Sequence, residues 1–123
     1  MINPVVYPIT LYQLDDFDLQ LNWRERCGAT FDLNGYNARF TLWPTETDRT
    51  AFVYQVTNPM IGGNGIMLGN VSPNIWTHIT SSFINFDPRP QWYVLELRTP
   101  VGTSPEVSGV WFRRAHGIVT YIV

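Results

Sequence analysis

Two histidines, one cysteine and a cluster of carboxylates are the side chains of this 123-residue chain best suited to chemistry. His78 and His116 could serve as bases, but a hydrolytic triad also needs a Ser or Cys nucleophile nearby and a third group to orient the imidazole. No nucleophile motif surrounds any serine, and Cys27 falls in a turn, so both histidines read as surface or rim residues. Asp15, Asp16 and Asp18 offer the oxygen ligands that calcium takes, yet no loop of ligand spacing follows, and a solvated strand edge accounts for them. Glu25 and Glu46 could be paired as acid and base only in a larger scaffold with substrate-lining groups. Gly62-Gly63-Asn64-Gly65 has the glycines of a phosphate loop without the following Lys-Ser/Thr or a helix N-terminus, so it reads as a turn. The expectation is a protein that is not an enzyme, with no catalytic or metal-ligating residue and no cofactor.

The totals narrow the classes further. Apolar residues make up 45 % of the chain and aromatics 15 %, enough for burial to offset chain entropy in one domain. Charged residues are only 15 %, which leaves apolar surface to be covered. The net charge of −2 gives no basic stripe for nucleic acid. All eight basic residues are Arg, the cation whose planar fork suits interfaces. A lone cysteine allows no internal disulfide and fits a reducing compartment. No apolar run reaches the roughly 18–20 residues of a membrane span, and MINPVVYPIT lacks the positive charge of a signal peptide.

The elements that would position these groups are strands. Residues 1–12 read as an extended arm or edge strand, because Pro4 and Pro8 each lack a ladder donor. In FDLQLNWR, Phe17, Leu19, Leu21 and Trp23 alternate with polar residues, the pattern of a half-buried strand. Asn34-Gly35 predicts a tight turn into NARFTLWP, with Ala38, Phe40 and Leu42 on one face. Further strands are expected over AFVYQVT, Ile66 to Leu68, IWTHIT, WYVLELRT, EVSGVWFRR and GIVTYIV, the last opened by Gly117. SFINFDPRP reads as a single helical turn or a loop. Eight or nine closely spaced strands predict an all-β domain over 13–123, a β-sandwich with a small barrel as the alternative.

Three blocks, FDLQLNWRERCGATFDLNGYNARFTLWP, GNGIMLGNV and WYVLELRTPVGTSPEVSGVWFRRAHGIVTYIV, add a resemblance. In this order they resemble small virion proteins of tailed bacteriophages, and in particular the immunoglobulin-like N-terminal domain of upper baseplate proteins. The matching residues are Asp32, Leu33, Gly35, Tyr36, Ala38 and Arg39, then Gly65, Ile66 and Leu68, then Tyr93, Leu95, Glu96, Leu97 and Gly102. The resemblance covers roughly residues 14 to 123 and implies an immunoglobulin-like sandwich without catalysis. It implies a virion location, host cytoplasm during assembly, and partners that are other virion proteins and copies of the chain itself. SFINFDPRP is a poor match to the short helix that often precedes the Y-x-L-E-L strand, and the expectation from the resemblance is the docking module alone, without a shaft or receptor-binding region.

The aromatic residues carry the functional expectation. With Phe17, Leu19, Leu21, Trp23, Phe40, Leu42, Tyr93, Leu95, Leu97 and Phe112 facing the core, alternation turns Trp43, Trp76, Trp92 and Trp111 outward. A buried aromatic covers about 150–250 Å², which at about 25 cal/mol/Å² sets an upper bound of roughly 4–6 kcal/mol each. Four such rings left wet would form a patch that monomers rarely carry. The expected interface is therefore Trp43, Trp76, Trp92 and Trp111 with Arg98, Arg113 and Arg114, joined by Pro4, Tyr7 and Pro8 of the arm, which could exchange between copies. An ion pair between Glu96 and Arg98 is compatible with their shared face. Three other readings of the rings are a strand register that differs from this one, cover by the arm, and a platform for host-surface carbohydrate.

Overall fold

The computed structural model of the chain describes residues 5–22, 33, 35–48, 50–69, 74–98 and 111–123. Nine strands are found among them: β1 (Val5–Val6), β2 (Ile9–Tyr12), β3 (Phe17–Asn22), β4 (Asn37–Trp43), β5 (Tyr54–Thr57), β6 (Gly65–Leu68), β7 (Asn74–Ile79), β8 (Trp92–Arg98) and β9 (Trp111–Ile122). The segment expected to be a helical turn or loop holds one 3₁₀ turn, Ser81–Phe83.

The strands form two sheets packed against each other, an all-β sandwich. The larger sheet runs β1-β9-β8-β4-β5, and β2 follows β1 along the same edge of β9. Both short strands lie parallel to β9, whereas β9-β8-β4-β5 is antiparallel throughout. The smaller sheet is an antiparallel β3-β7-β6.

Period-two alternation decides which side chains meet between the sheets. Phe17 and Leu19 of β3, Ile75 and Ile79 of β7, and Ile66 of β6 are buried on one side. Ala38, Phe40 and Leu42 of β4, Val56 of β5, Tyr93, Leu95 and Leu97 of β8, and Ala115 and Val119 of β9 face them. The Phe17 and Phe40 rings meet across the gap at 5.8 Å, and Phe40 stacks on Tyr93 at 5.4 Å.

Turn chemistry sets the registers. Gly35 sits at φ +83°, and Tyr36 N–H donates to Leu33 O at 3.1 Å, the turn that Asn34-Gly35 predicted. Gly62 and Gly63 both hold positive φ between the paired Ile61 and Asn64, a two-residue hairpin turn. That hairpin, not an anion, explains the glycines of the GGNG stretch.

Two expectations need correction at the C-terminal end. The WFRR end of EVSGVWFRR and the GIVTYI stretch belong to one twelve-residue strand, Trp111 to Ile122, which also holds His116; residues 106–110 lie outside the described residues. A bulge makes this continuity workable. Leu95 pairs with Ala115 but Glu96 pairs with Arg113, so Arg114 is the extra residue. Gly117, which looked like an opening turn, serves a close approach instead. A Cβ there would lie 2.3 Å from the carbonyl oxygen of Tyr7.

The arm is an edge strand in two pieces, interrupted where Pro8 lacks a donor. Tyr7 N–H donates to His116 O at 2.9 Å, and the Tyr93 hydroxyl donates to Tyr7 O at 2.5 Å. Ile9 and Leu11 are buried in the common core, so the arm also supplies part of it. Pro4, Trp23, Arg24 and Cys27 lie outside the described residues.

Candidate functional site

Alternation leaves each sheet with an outer face, and the two differ. On the larger sheet, the residues opposite the core positions are Arg39, Thr41 and Trp43 of β4, Trp92, Val94, Glu96 and Arg98 of β8, and Trp111, Arg113, His116 and Ile118 of β9. Five of the expected interface residues thus share one face: Trp43, Trp92, Trp111, Arg98 and Arg113.

At one end of this face charges and an indole interlock. The Arg39 guanidinium grips Glu96 through two hydrogen bonds, of 2.8 and 3.3 Å. It also lies 4.1 Å from the centre of the Trp111 ring, and the Arg98 guanidinium lies 4.8 Å from the same ring. Trp111 and two arginines therefore make a cation–π cluster. The expected Glu96–Arg98 pairing is replaced by Glu96–Arg39, because the cross-strand neighbours Arg39 and Glu96 lie directly opposite in register. Arg113 is exposed and reaches the His116 ring, with Nη1 3.1 Å from Nδ1.

The other end is apolar. Trp43, Trp92 and Ile118 lie in one cross-strand row. Trp92 stacks on His116 at 5.5 Å, and Phe52 meets Trp43 edge-on at 6.3 Å. Trp92 itself is buried, at 8 % exposure, and its Nε1 has no acceptor among the described residues. The expectation of a wet Trp92 is corrected accordingly: its neighbours within the chain cover most of the ring. The apolar surface that stays in water comes from other residues, Phe52 at 52 %, Ile118 at 62 % and Val6 at 71 %, with Tyr12 and Ile122 beside them on the arm side.

The smaller sheet is different. Trp76 projects from its outer face and so does not join the other three indoles, a second correction to the expected patch. Its Nε1 donates to Asp18 Oδ1 at 2.7 Å, and its ring meets His78 at 6.0 Å. His78 Nδ1 is hydrogen-bonded to the Gly63 carbonyl, which places the proton on Nδ1 and leaves Nε2 3.8 Å from Asp18. Asp16 accepts a hydrogen bond from Ser81 N–H at 2.8 Å. Asp18 and Asp16 are thus committed to an indole and a turn. Among the described residues, no group of three or more His, Cys, Asp or Glu could hold a metal ion.

Arg114, expected at the interface, is 7 % exposed at the bulge, and burial lowers its guanidinium pKa below the ordinary arginine range. Burial first, and the neighbouring Tyr7 second, raise the Tyr93 phenol well above its ordinary value. Tyr7 and Pro8 are exposed on the arm. Two open grooves, of about 480 and 290 Å³, flank the Asn58-Pro59 bend. Thr57 lines the larger and Tyr36 the smaller, beside mainly apolar and amide side chains.

Sequence reasoning missed Phe52 and Ile118. Phe52 alternates in phase with Tyr54 and Val56, which marks it for the core, but β5 starts only at Tyr54. Ile118 was obscured by placing a strand boundary at Gly117; continuous alternation from Ala115 would have turned it outward. No protein-family model matches the chain, and no curated protein matches it.

Proposed function

We propose that this chain is a non-enzymatic structural module that assembles through the outer face of its larger sheet. We place it in the virion of a tailed bacteriophage, at the tail, baseplate, neck or head surface. The observation that carries the assembly reading is the composition of that face. Phe52, Ile118 and Val6 stay exposed beside half-buried Trp43, Arg39 and Arg98 cover Trp111, and exposed Arg113 reaches His116. Exposed apolar groups beside aromatic and arginine anchors are the ingredients of an interface core with a polar rim.

A sugar platform needs flat ring faces open to a pyranose. Here Trp111 carries two guanidinium groups, Trp92 carries His116, and Trp43 and Trp76 meet Phe52 and His78. What remains exposed is mainly aliphatic, which favours a protein partner over carbohydrate. The virion placement rests on the resemblance already described, whose described residues fall at Leu33 and the turn at Gly35, the start of β4, strand β6 and the Tyr93–Leu97 run of β8; Asp32 and Gly102 lie outside the described residues.

Mass spectrometry of purified particles tests the proposal. The expected result is recovery of the chain from particles, with peptides covering 37–43 and 92–98 exchanging deuterium more slowly there than in the free chain. Recovery solely from the soluble fraction of infected cells contradicts the virion placement, and unchanged exchange contradicts assembly through this face.

A further inference from the structure

We infer that the arm, residues 5–12, exchanges between copies of the chain, each copy's β2 pairing with β9 of its neighbour. The inference rests on the assembly reading and names what joins the copies.

The receiving site is built for one segment. Gly117 leaves room for the Tyr7 backbone, the Tyr93 hydroxyl binds Tyr7 O, and Ile9 and Leu11 fill the core beside β9. Its occupant is therefore this sequence, from the same chain or from a second copy. Both arrangements make the same contacts within the site, so the hinge decides between them.

That hinge is residues 13–16, and it is strained. Leu14 holds φ +62°, the left-handed region, where a Cβ-bearing residue is disfavoured. Backbone bonds run from Gln13 N–H to Ile122 O and from Leu14 N–H to Ile84 O, each 2.8 Å, and from Asp15 N–H to Tyr12 O at 3.1 Å. The Gln13 amide donates to Asn85 Oδ1 and Asp16 accepts from Ser81 N–H, so the hinge ends are anchored and the strain is concentrated at Leu14. The Leu14 side chain is 58 % exposed and adds little packing. A short strained hinge favours exchange, because extension across to a second copy releases the strain. Fully extended, the hinge spans at most about 17 Å from Tyr12 to Phe17, so exchanging copies must lie in close contact. The exposed Val6, Tyr12, Ile118 and Ile122 border the arm and would lie at that contact.

Thr10 and Thr120 are exposed Cα partners across β2 and β9. Two chains carrying Cys27→Ser are co-expressed, one with Thr10→Cys and the other with Thr120→Cys, and treated with a short bismaleimide. Exchange gives covalent heterodimers linked through residues 10 and 120, identified by peptide mass. A chain bearing both cysteines that links only internally, with no heterodimer from the co-expressed pair, overturns the inference even if the protein is oligomeric. Leu14→Gly relieves the strain in place and should lower the linked heterodimer fraction about tenfold; Leu14→Val should raise it. Equal fractions for both variants would also overturn the inference.

Discussion

The two outer faces of this sandwich both present tryptophan, and they use it differently. On the smaller sheet, Trp76 is bound to Asp18, and His78 is held by the Gly63 carbonyl, so the polar groups find their partners within the chain. On the larger sheet, Trp92 buries an Nε1 without an acceptor among the described residues, Arg98 does the same with its Nε, and Phe52 and Ile118 remain in water. The smaller sheet's outer face has these polar groups paired, though Met67 beside Trp76 is half exposed; the larger sheet's outer face leaves polar and apolar groups alike unfinished. A residue type that signals an interface does so only where its hydrogen bonds and its apolar neighbours are left unfinished.

Substitutions can break this contrast, and the largest effect is expected at the seam between arm and sheet. Gly117→Val would drive a side chain into Tyr7 backbone that cannot yield, displacing the arm and exposing Ile9 and Leu11. A loss of about 3–5 kcal/mol is expected, on the scale of a large core truncation. Denaturant unfolding and hydrogen exchange of residues 5–12 read it; a loss below about 1 kcal/mol would show that the arm is a mere appendage.

Next comes the incomplete face. Trp111→Ala removes the ring that Arg39 and Arg98 cover, and should weaken association about tenfold or more. The change in folding stability should be much smaller than for a buried core residue. A large loss of stability with unchanged association would instead assign the cluster to the fold.

Alkaline pH probes the seam without mutation. The Tyr93 phenol is protonated in the folded chain well above the value of 10.0 at which an unfolded tyrosine titrates. Above about pH 10 the unfolded state binds fewer protons than the folded one, so stability is full below that pH and declines as pH rises. The slope contributed is at most about 1.4 kcal/mol per pH unit. Tyr93→Phe should flatten this decline while forfeiting about 1 kcal/mol at neutral pH through the lost bond to Tyr7 O. An identical alkaline profile in wild type and variant would refute the assignment.

The smallest effect belongs to the smaller sheet's outer face. Trp76→Phe deletes the bond to Asp18 and should cost about 1 kcal/mol of stability, with association untouched. Reduced association in this variant would mean that the smaller sheet also meets a partner.

Much of the sandwich was legible in the sequence because period-two alternation is unambiguous where one face is buried. Phe17-Leu19-Leu21, Ala38-Phe40-Leu42 and Ile75-Thr77-Ile79 all fell on the expected side. Gly35 and the glycines at 62 and 63 announced their turns through the backbone conformations they permit. The long last strand was not legible, since the bulge at Arg114 breaks the alternation and Gly117 mimics a boundary. The candidate face was legible only in part. Trp43, Trp92, Trp111, Arg98 and Arg113 share it as alternation implies, but which strand joins which sheet is a long-range matter, and that alone sends Trp76 to the opposite side. Glu96 found Arg39 and not Arg98 for the same reason: register across strands outweighs proximity along one.

Sedimentation velocity across a concentration series, on the wild-type chain and on the Phe52→Ser/Ile118→Ser double variant, addresses the incomplete face most directly. Both side chains are more than half exposed, so the variant should melt with the wild type. The account predicts a wild type that sediments as an oligomer and a variant that sediments as a folded monomer. A wild type that stays monomeric at every concentration, or a variant that assembles just as well, would contradict it.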